Sequence, residues 1–180
     1  MAQSGSWERL ITLREDWLSA CLAQLPLGRP RDAHVWEQVS DADLRACVAR
    51  GRLPQGVGDM HMTVLPDAYL LQILSVVDVS LRAVDREAAE GAPRAASRCL
   101  KLLLTDGAQA VAGMELEPCP ALATAGVGDK LLVRRPCVRR GMLLLCGDSV
   151  TYVGGVPAAT PAAPPPAAAA VDGQGGPQAL

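Results

Sequence analysis

Two histidines, six cysteines and one cluster of arginines are the residues of this chain whose chemistry could go beyond packing. His34 and His61 lie in turn-rich stretches with no cysteine or carboxylate at ligand spacing. They read as surface or interdomain residues rather than as catalysts or metal ligands. Cys21, Cys47, Cys99, Cys119, Cys137 and Cys146 form no CxxC pair and have no histidine nearby to complete a zinc site. Reduced, mostly packed thiols of an intracellular protein are expected. The stretch GVGD at 126–129 lacks the GK[ST] ending of a phosphate loop and leads into a strand-like run, so it reads as a turn. No serine or cysteine stands in a nucleophile-elbow context. The expected class is a non-enzymatic binding protein without metal or cofactor.

Arg134, Arg135, Arg139 and Arg140 are the one local concentration of positive charge in the second half of the chain. They flank a bend at Pro136 and read first as a solvated edge, second as phosphate-contacting residues of a single-strand binder. Two features weigh against the second reading. The formal net charge is −2, whereas nucleic-acid-coating domains are strongly basic. The region 69–156 offers only Tyr69 and Tyr152 as platforms on which bases could stack. Nucleic-acid contact is therefore expected to be weak or indirect.

The elements that must position these residues fall into three parts. In residues 1–66, Trp7, Leu10, Ile11, Trp17, Leu18, Cys21, Leu22 and Leu25 recur at helical spacing until Pro26 and Gly28. A further helix is expected to start at Ser40 as N-cap, with Asp43 three residues on, and to end at Gly51. This predicts a small helical bundle packed through Trp7, Trp17, Trp36, Leu44 and Val48.

From residue 67 the pattern changes to five strand-like runs: YLLQILSVVDVS, CLKLLL, AQAVAGMELEP, DKLLVRRPCV and MLLLCGDSVTYVGG. Five strands over residues 67–156, with a long first connection at 81–98, fit an OB-fold, a small Greek-key barrel. The overall class is α+β. Asp106-Gly107 predicts a tight type I′ turn that sets Leu102 opposite Val111 and Leu103 opposite Ala110, with one apolar face filling the barrel and the other meeting the bundle. A connection as long as 81–98 is usually functional or disordered. Its charges Arg82, Asp85, Arg86, Glu87, Glu90, Arg94 and Arg98 are candidate partner contacts. Residues 157–180 are Pro/Ala/Gly low complexity and are expected to be disordered. The longest apolar stretch is interrupted by Asp78 and is too short to span a bilayer, so no membrane association is expected.

The runs DWLSACL, DLRACVARGRLP, LLQILSVVDVS, CLKLLLTDGAQAVAGMELEP, GVGDKLLV and RRGMLLLCGDSVTYVGG, in this order between Trp17 and Gly155, resemble the N-terminal region of the RecQ-mediated genome instability protein 1 family. The LTDG hairpin and the glycine pair after GMLLL carry most of the resemblance. It implies a three-helix, ubiquitin-associated-like bundle on a five-stranded OB-fold. It also implies a nuclear scaffold that binds a type IA topoisomerase of the topoisomerase III kind in a complex with a RecQ-type helicase. Such a scaffold supports double Holliday junction dissolution in DNA recombination, replication and repair.

In that family the loop between the first two strands reaches into the topoisomerase and affects its DNA gate. Carried over, the partner-binding residues are Arg86, Glu87, Glu90, Pro93, Arg94 and Arg98, joined by Lys130 at the start of the fourth strand. The loop here is short and has no aromatic anchor, and no second OB-fold follows Gly155. A Tudor-domain protein that binds topoisomerase III beta has a similar OB module and stands as an alternative resemblance.

Overall fold

The computed structural model describes residues 7–88 and 97–155; for residues 87 and 88 only the helical backbone is described. The expected contacts Glu90, Pro93 and Arg94 and the tail 157–180 lie outside the described residues.

The first part of the chain is less helical than its apolar spacing predicts. A single 3-10 turn at Trp7–Arg9 leads into β1 (Thr12–Leu13), and the first helix, α1, is Glu15–Ala23. Helix α2 spans Arg31–Asp41 and runs through Ser40, whose hydroxyl donates back to the Trp36 carbonyl at 2.9 Å instead of capping a new helix. The N-cap is Asp43, whose carboxylate accepts the Arg45 N–H at 2.9 Å, and α3 is the single turn Leu44–Cys47. The helix expected to reach Gly51 stops because Val48–Arg50 becomes β2 and pairs antiparallel with β1. Trp7, Ile11, Cys21, Val35, Val39, Leu44, Cys47 and Val48 close into one buried cluster.

The rest is one eight-stranded sheet. Its strands are β3 (Thr63–Val64), β4 (Ala68–Asp78), β5 (Leu100–Thr105), β6 (Ala110–Glu115), β7 (Lys130–Arg134), β8 (Cys137–Arg139), β9 (Met142–Leu145) and β10 (Val150–Gly154), in the order β10-β7-β4-β5-β6-β9-β8-β3. A short helix, α4 (Ala83–Ala88), follows β4. Eight strands replace the expected five because the fourth run bends at Arg135, which has a left-handed φ of 46°, and the fifth turns at residues 146–149. The short β3 adds an edge. The fifth run pairs with β6 through β9 and with β7 through β10, joining the two sides of the sheet. Side chains from β4 to β10 therefore meet in one core that includes Leu71, Ile73, Leu102, Leu104, Val111, Leu131, Val133, Leu143 and Leu145. Leu53, Val57 and Leu65, from the segment expected to belong to the bundle, are buried in this second core.

A bulge at Leu74 divides the outer wall of the sheet. The β4–β5 register shifts between Ile73 and Ser75, which inverts the alternation of inward and outward side chains. Before the bulge the outward residues Leu70 and Gln72 are buried under the N-terminal part, and Val153 packs there too. After it Ser75 and Val77 face solvent, beside Leu103 on β5.

The hairpin register differs from the expected one by two residues: Leu102 pairs with Gly113, Leu103 with Ala112 and Leu104 with Val111. Residues 106–109 form the connection. Asp106 is not a positive-φ turn residue; only Gly107 is, at φ 95°. The Asp106 carboxylate instead accepts the N–H groups of Ala108 and Gln109, both at 3.0 Å, which widens the loop. A shift of two leaves the faces unchanged, so Leu102, Leu104 and Val111 fill the core as expected. The opposite face meets the N-terminal part only near the hairpin tip, where Thr105 is 3% exposed beside Gln72, while Leu103 further along is 41% exposed.

Candidate functional site

The expected partner loop starts and ends on fixed backbone. On its first side the Arg86 guanidinium donates through Nε to the carbonyls of Asp78 at 3.0 Å and Leu81 at 3.2 Å. Arg82 pairs with Asp85 at 2.7 Å, and the Asp78 carboxylate accepts Ser80 and Cys99 N–H groups. Glu87 lies in α4, with its side chain outside the described residues.

On the other side Arg98 is not a free surface charge. It is 9% exposed and donates to the Glu115 carboxylate at 3.0 Å and the Cys119 carbonyl at 2.8 Å. Glu115 also accepts the N–H groups of Leu100 and Cys119, so its two oxygens serve an arginine and two amides. The sequence reading gave Arg98 a partner contact. The structure gives it an internal one, because a buried carboxylate needs a charged or hydrogen-bonding counterpart.

Lys130 corrects the same expectation more strongly. Its strand β7 is central, between β4 and β10, and the residue is 2% exposed. Burial holds its ammonium below the usual lysine range, opposed by attraction from Asp43, Cys47, Asp41 and Asp129. It thus lies under the N-terminal helices beside Gln72, whose Oε1 accepts the Leu44 N–H at 2.8 Å. In this fold Lys130 presents no surface to a partner. Signals for its burial were present only as its position at the head of an apolar run.

The four arginines are not one patch. Arg134 ends β7 and Arg135 follows it, whereas Arg139 ends β8 and Arg140 follows that, so Pro136–Val138 separates the pairs. Arg134 donates to the Thr151 hydroxyl at 2.8 Å, and the Arg140 N–H donates to His61 Nδ1 at 3.1 Å. His34, expected at a surface or domain boundary, is 5% exposed between α1 and α2, with Nε2 bonded to the Cys21 carbonyl at 3.1 Å. Burial pushes the Cys47 thiol up to about 11, which suits a packed thiol rather than a nucleophile. Among the described residues all six cysteines are free, and no group of three or more His, Cys, Asp or Glu side chains could hold a metal ion. No described helix is long and apolar enough to cross a membrane.

What the arrangement offers is a surface. Val77 and Val79 are 37% and 38% exposed at the foot of the loop, where β4 ends, and Leu103, opposite Ser75 further along the same wall, is 41% exposed. Sequence reasoning missed this wall, because the bulge that turns it outward leaves no mark in the composition of LLQILSVVDVS.

The chain matches the family model described as RMI1, N-terminal OB-fold domain, over residues 53–159. It is 39% identical over 153 residues to RecQ-mediated genome instability protein 1 of Oryza sativa subsp. japonica, covering 81% of this chain and 18% of the relative. The protein of the same name from Arabidopsis thaliana is 33% identical over 156 residues, covering 81% and 24%, and that from Danio rerio 32% over 169 residues, covering 77% and 32%. The chain spans less than a third of the length of these relatives. The match begins at Leu53, where side chains begin to enter the core of the sheet, and it makes the chain a member of the RecQ-mediated genome instability protein 1 family that carries the family's N-terminal OB-fold domain.

Proposed function

We propose that this chain is a non-catalytic scaffold that binds a topoisomerase III enzyme and, through it, joins a RecQ-type helicase in the nucleus. There it supports double Holliday junction dissolution, recombination and repair. The observation that carries the reading is the loop 81–98 with both feet fixed, by Arg86 on one side and the buried Arg98–Glu115 pair on the other, next to exposed Val77, Val79 and Leu103. A binding loop held at its base loses less entropy on docking than a free one, and exposed aliphatic side chains supply contact area. Within the loop, Arg86, Glu87, Glu90, Pro93 and Arg94 are the proposed contacts; Arg98 holds the foot. Family membership and the names of the relatives, which refer to RecQ-mediated genome instability, support the same role.

The test is a tagged copy of the full chain expressed in cells, with the co-purifying proteins identified by mass spectrometry. Topoisomerase III recovered at moderate salt, and reduced by deleting residues 86–97, is the expected result. A purification without it rejects the proposal.

A further inference from the structure

A second surface lies away from the loop, across β9, β8 and the edge strand β3, with β6 intervening in the strand order. It is a groove of about 390 Å³ lined by Val64, Leu116, Cys137 and Leu144 together with Arg134, Arg135 and Asp148; the Arg134 N–H donates to the Ser149 carbonyl at 2.8 Å, which sets Asp148 on the same side as the two arginines. Val64, Cys137 and Leu144 are register neighbours on three adjacent strands, so they form a continuous aliphatic and thiol row. Val64 is 56% exposed and Leu116 64%, a large apolar area left in water. Neither arginine belongs to an ion pair among the described residues: Arg134 reaches only the Thr151 hydroxyl, and the Arg135 N–H is fixed on the Asp67 carbonyl at 2.8 Å.

Charge and shape point to one class of occupant. The volume lies in the range of about 300–1,000 Å³ typical of ligand sites. An aliphatic floor accepts leucine-like side chains, and two guanidinium groups with no described carboxylate at ion-pair distance can take an acidic one. A single nucleic-acid strand fits poorly, because the lining has no aromatic ring for a base to stack on and Asp148 faces the phosphates. We propose that this groove docks a linear protein segment that places two or more aliphatic side chains on the Val64–Cys137–Leu144 row and an Asp or Glu against Arg134 and Arg135. This site does not depend on the topoisomerase reading, since it shares no residue with the loop or its feet.

The experiment selects from a displayed library of random 12-residue peptides on the purified full chain, then measures the enriched peptide by fluorescence anisotropy. The expected consensus contains at least two aliphatic residues and one acid. Leu116→Asp and Arg135→Glu each weaken it by about tenfold or more. A peptide with the acid changed to Lys regains affinity for Arg135→Glu. Leu116→Asp alters a side chain already in solvent, so its thermal midpoint stays that of the parent and loss of binding is not loss of fold. No enrichment, a consensus without acid, or binding to either variant as tight as to the parent overturns the proposal. So does an oligo-dT strand that binds the groove more tightly than the peptide and is lost with the same substitutions.

Discussion

The Asp106 carboxylate accepts the backbone N–H of Leu53 at 2.9 Å, tying the tip of the β5–β6 hairpin to the segment that leaves the N-terminal part. Gln109 completes the clasp, donating to the Leu53 carbonyl at 2.7 Å and the Pro54 carbonyl at 3.3 Å. Two glycines make the approach feasible. A Cβ on Gly51 would run into the Asp106 carboxylate, and one on Gly107 would meet Val48 Cβ at 2.6 Å and the Leu44 carbonyl at 2.7 Å. The hairpin is thus the joint between the two buried clusters.

Asp106→Ala leaves three amide donors, from Leu53, Ala108 and Gln109, without their acceptor. Bonds to a charged group contribute roughly 1.5–3 kcal/mol each, with incomplete additivity, so a loss of about 3 kcal/mol is expected in urea unfolding. Gly107→Ala costs about 2 kcal/mol or more, because φ 95° and the approach of Val48 both oppose a side chain. A loss below about 0.5 kcal/mol for either would show that the joint bears no stability.

The buried Arg98–Glu115 pair makes a different prediction. Glu115→Ala strands a guanidinium with 7% of its side chain exposed and two amides, at a cost of about 3–5 kcal/mol. The double variant Arg98→Met, Glu115→Leu removes both charges and is expected to unfold at higher urea than Glu115→Ala alone. If the double variant is the less stable, Arg98 stabilises the fold without Glu115, through its bond to the Cys119 carbonyl and its packing.

Lys130 gives the pH dependence. Its folded pKa lies below its unfolded value, so between the two the unfolded chain binds more protons and stability rises with pH. The cost of burying the charge is therefore complete below the folded pKa and is relieved as pH approaches the ordinary lysine value of 10.5. Lys130→Met is expected to be more stable than the parent at neutral pH, by a margin that shrinks toward that value. Guanidinium titrations at several pH values check this. A Met variant that is less stable at neutral pH would mean that attraction to Asp43, Asp41 and Asp129 outweighs desolvation.

Asp43 acts on the acid side. The hydrogen bond from the Arg45 side chain, followed by the Arg45 N–H and its charge, holds the Asp43 carboxyl below its ordinary range. Stability from this group is present above the unfolded pKa and is lost as pH falls through the folded one. Asp43→Ala is expected to cost about 1 kcal/mol at neutral pH, as for other helix N-caps, with the difference vanishing in strong acid.

The strand runs were readable from clustered Leu, Ile and Val because their inward positions alternate cleanly: Leu102 and Leu104, Leu131 and Val133, Leu143 and Leu145 are all buried. The bulge at Leu74, the burial of Lys130 and the pairing of Val48–Arg50 with Thr12–Leu13 were not. Each is set by contacts between distant segments, while local pattern speaks only for near neighbours. The hairpin shows both at once. Asp106-Gly107 marked the turn correctly, but the register followed from a carboxylate that serves Leu53 as well as its own loop. For the candidate site, the position of the loop was legible, whereas the internal role of Arg98 and the apolar wall beside it required the fold.

The central claim is that the loop and the wall at its foot bind topoisomerase III. Biolayer interferometry of the purified full chain against the purified cognate topoisomerase III tests it most directly, with Val77→Glu and the 86–97 deletion in parallel. Binding by the parent chain, weakened by about tenfold or more in both variants, is the predicted result. Absence of binding by the parent, or equal affinity for all three, contradicts it.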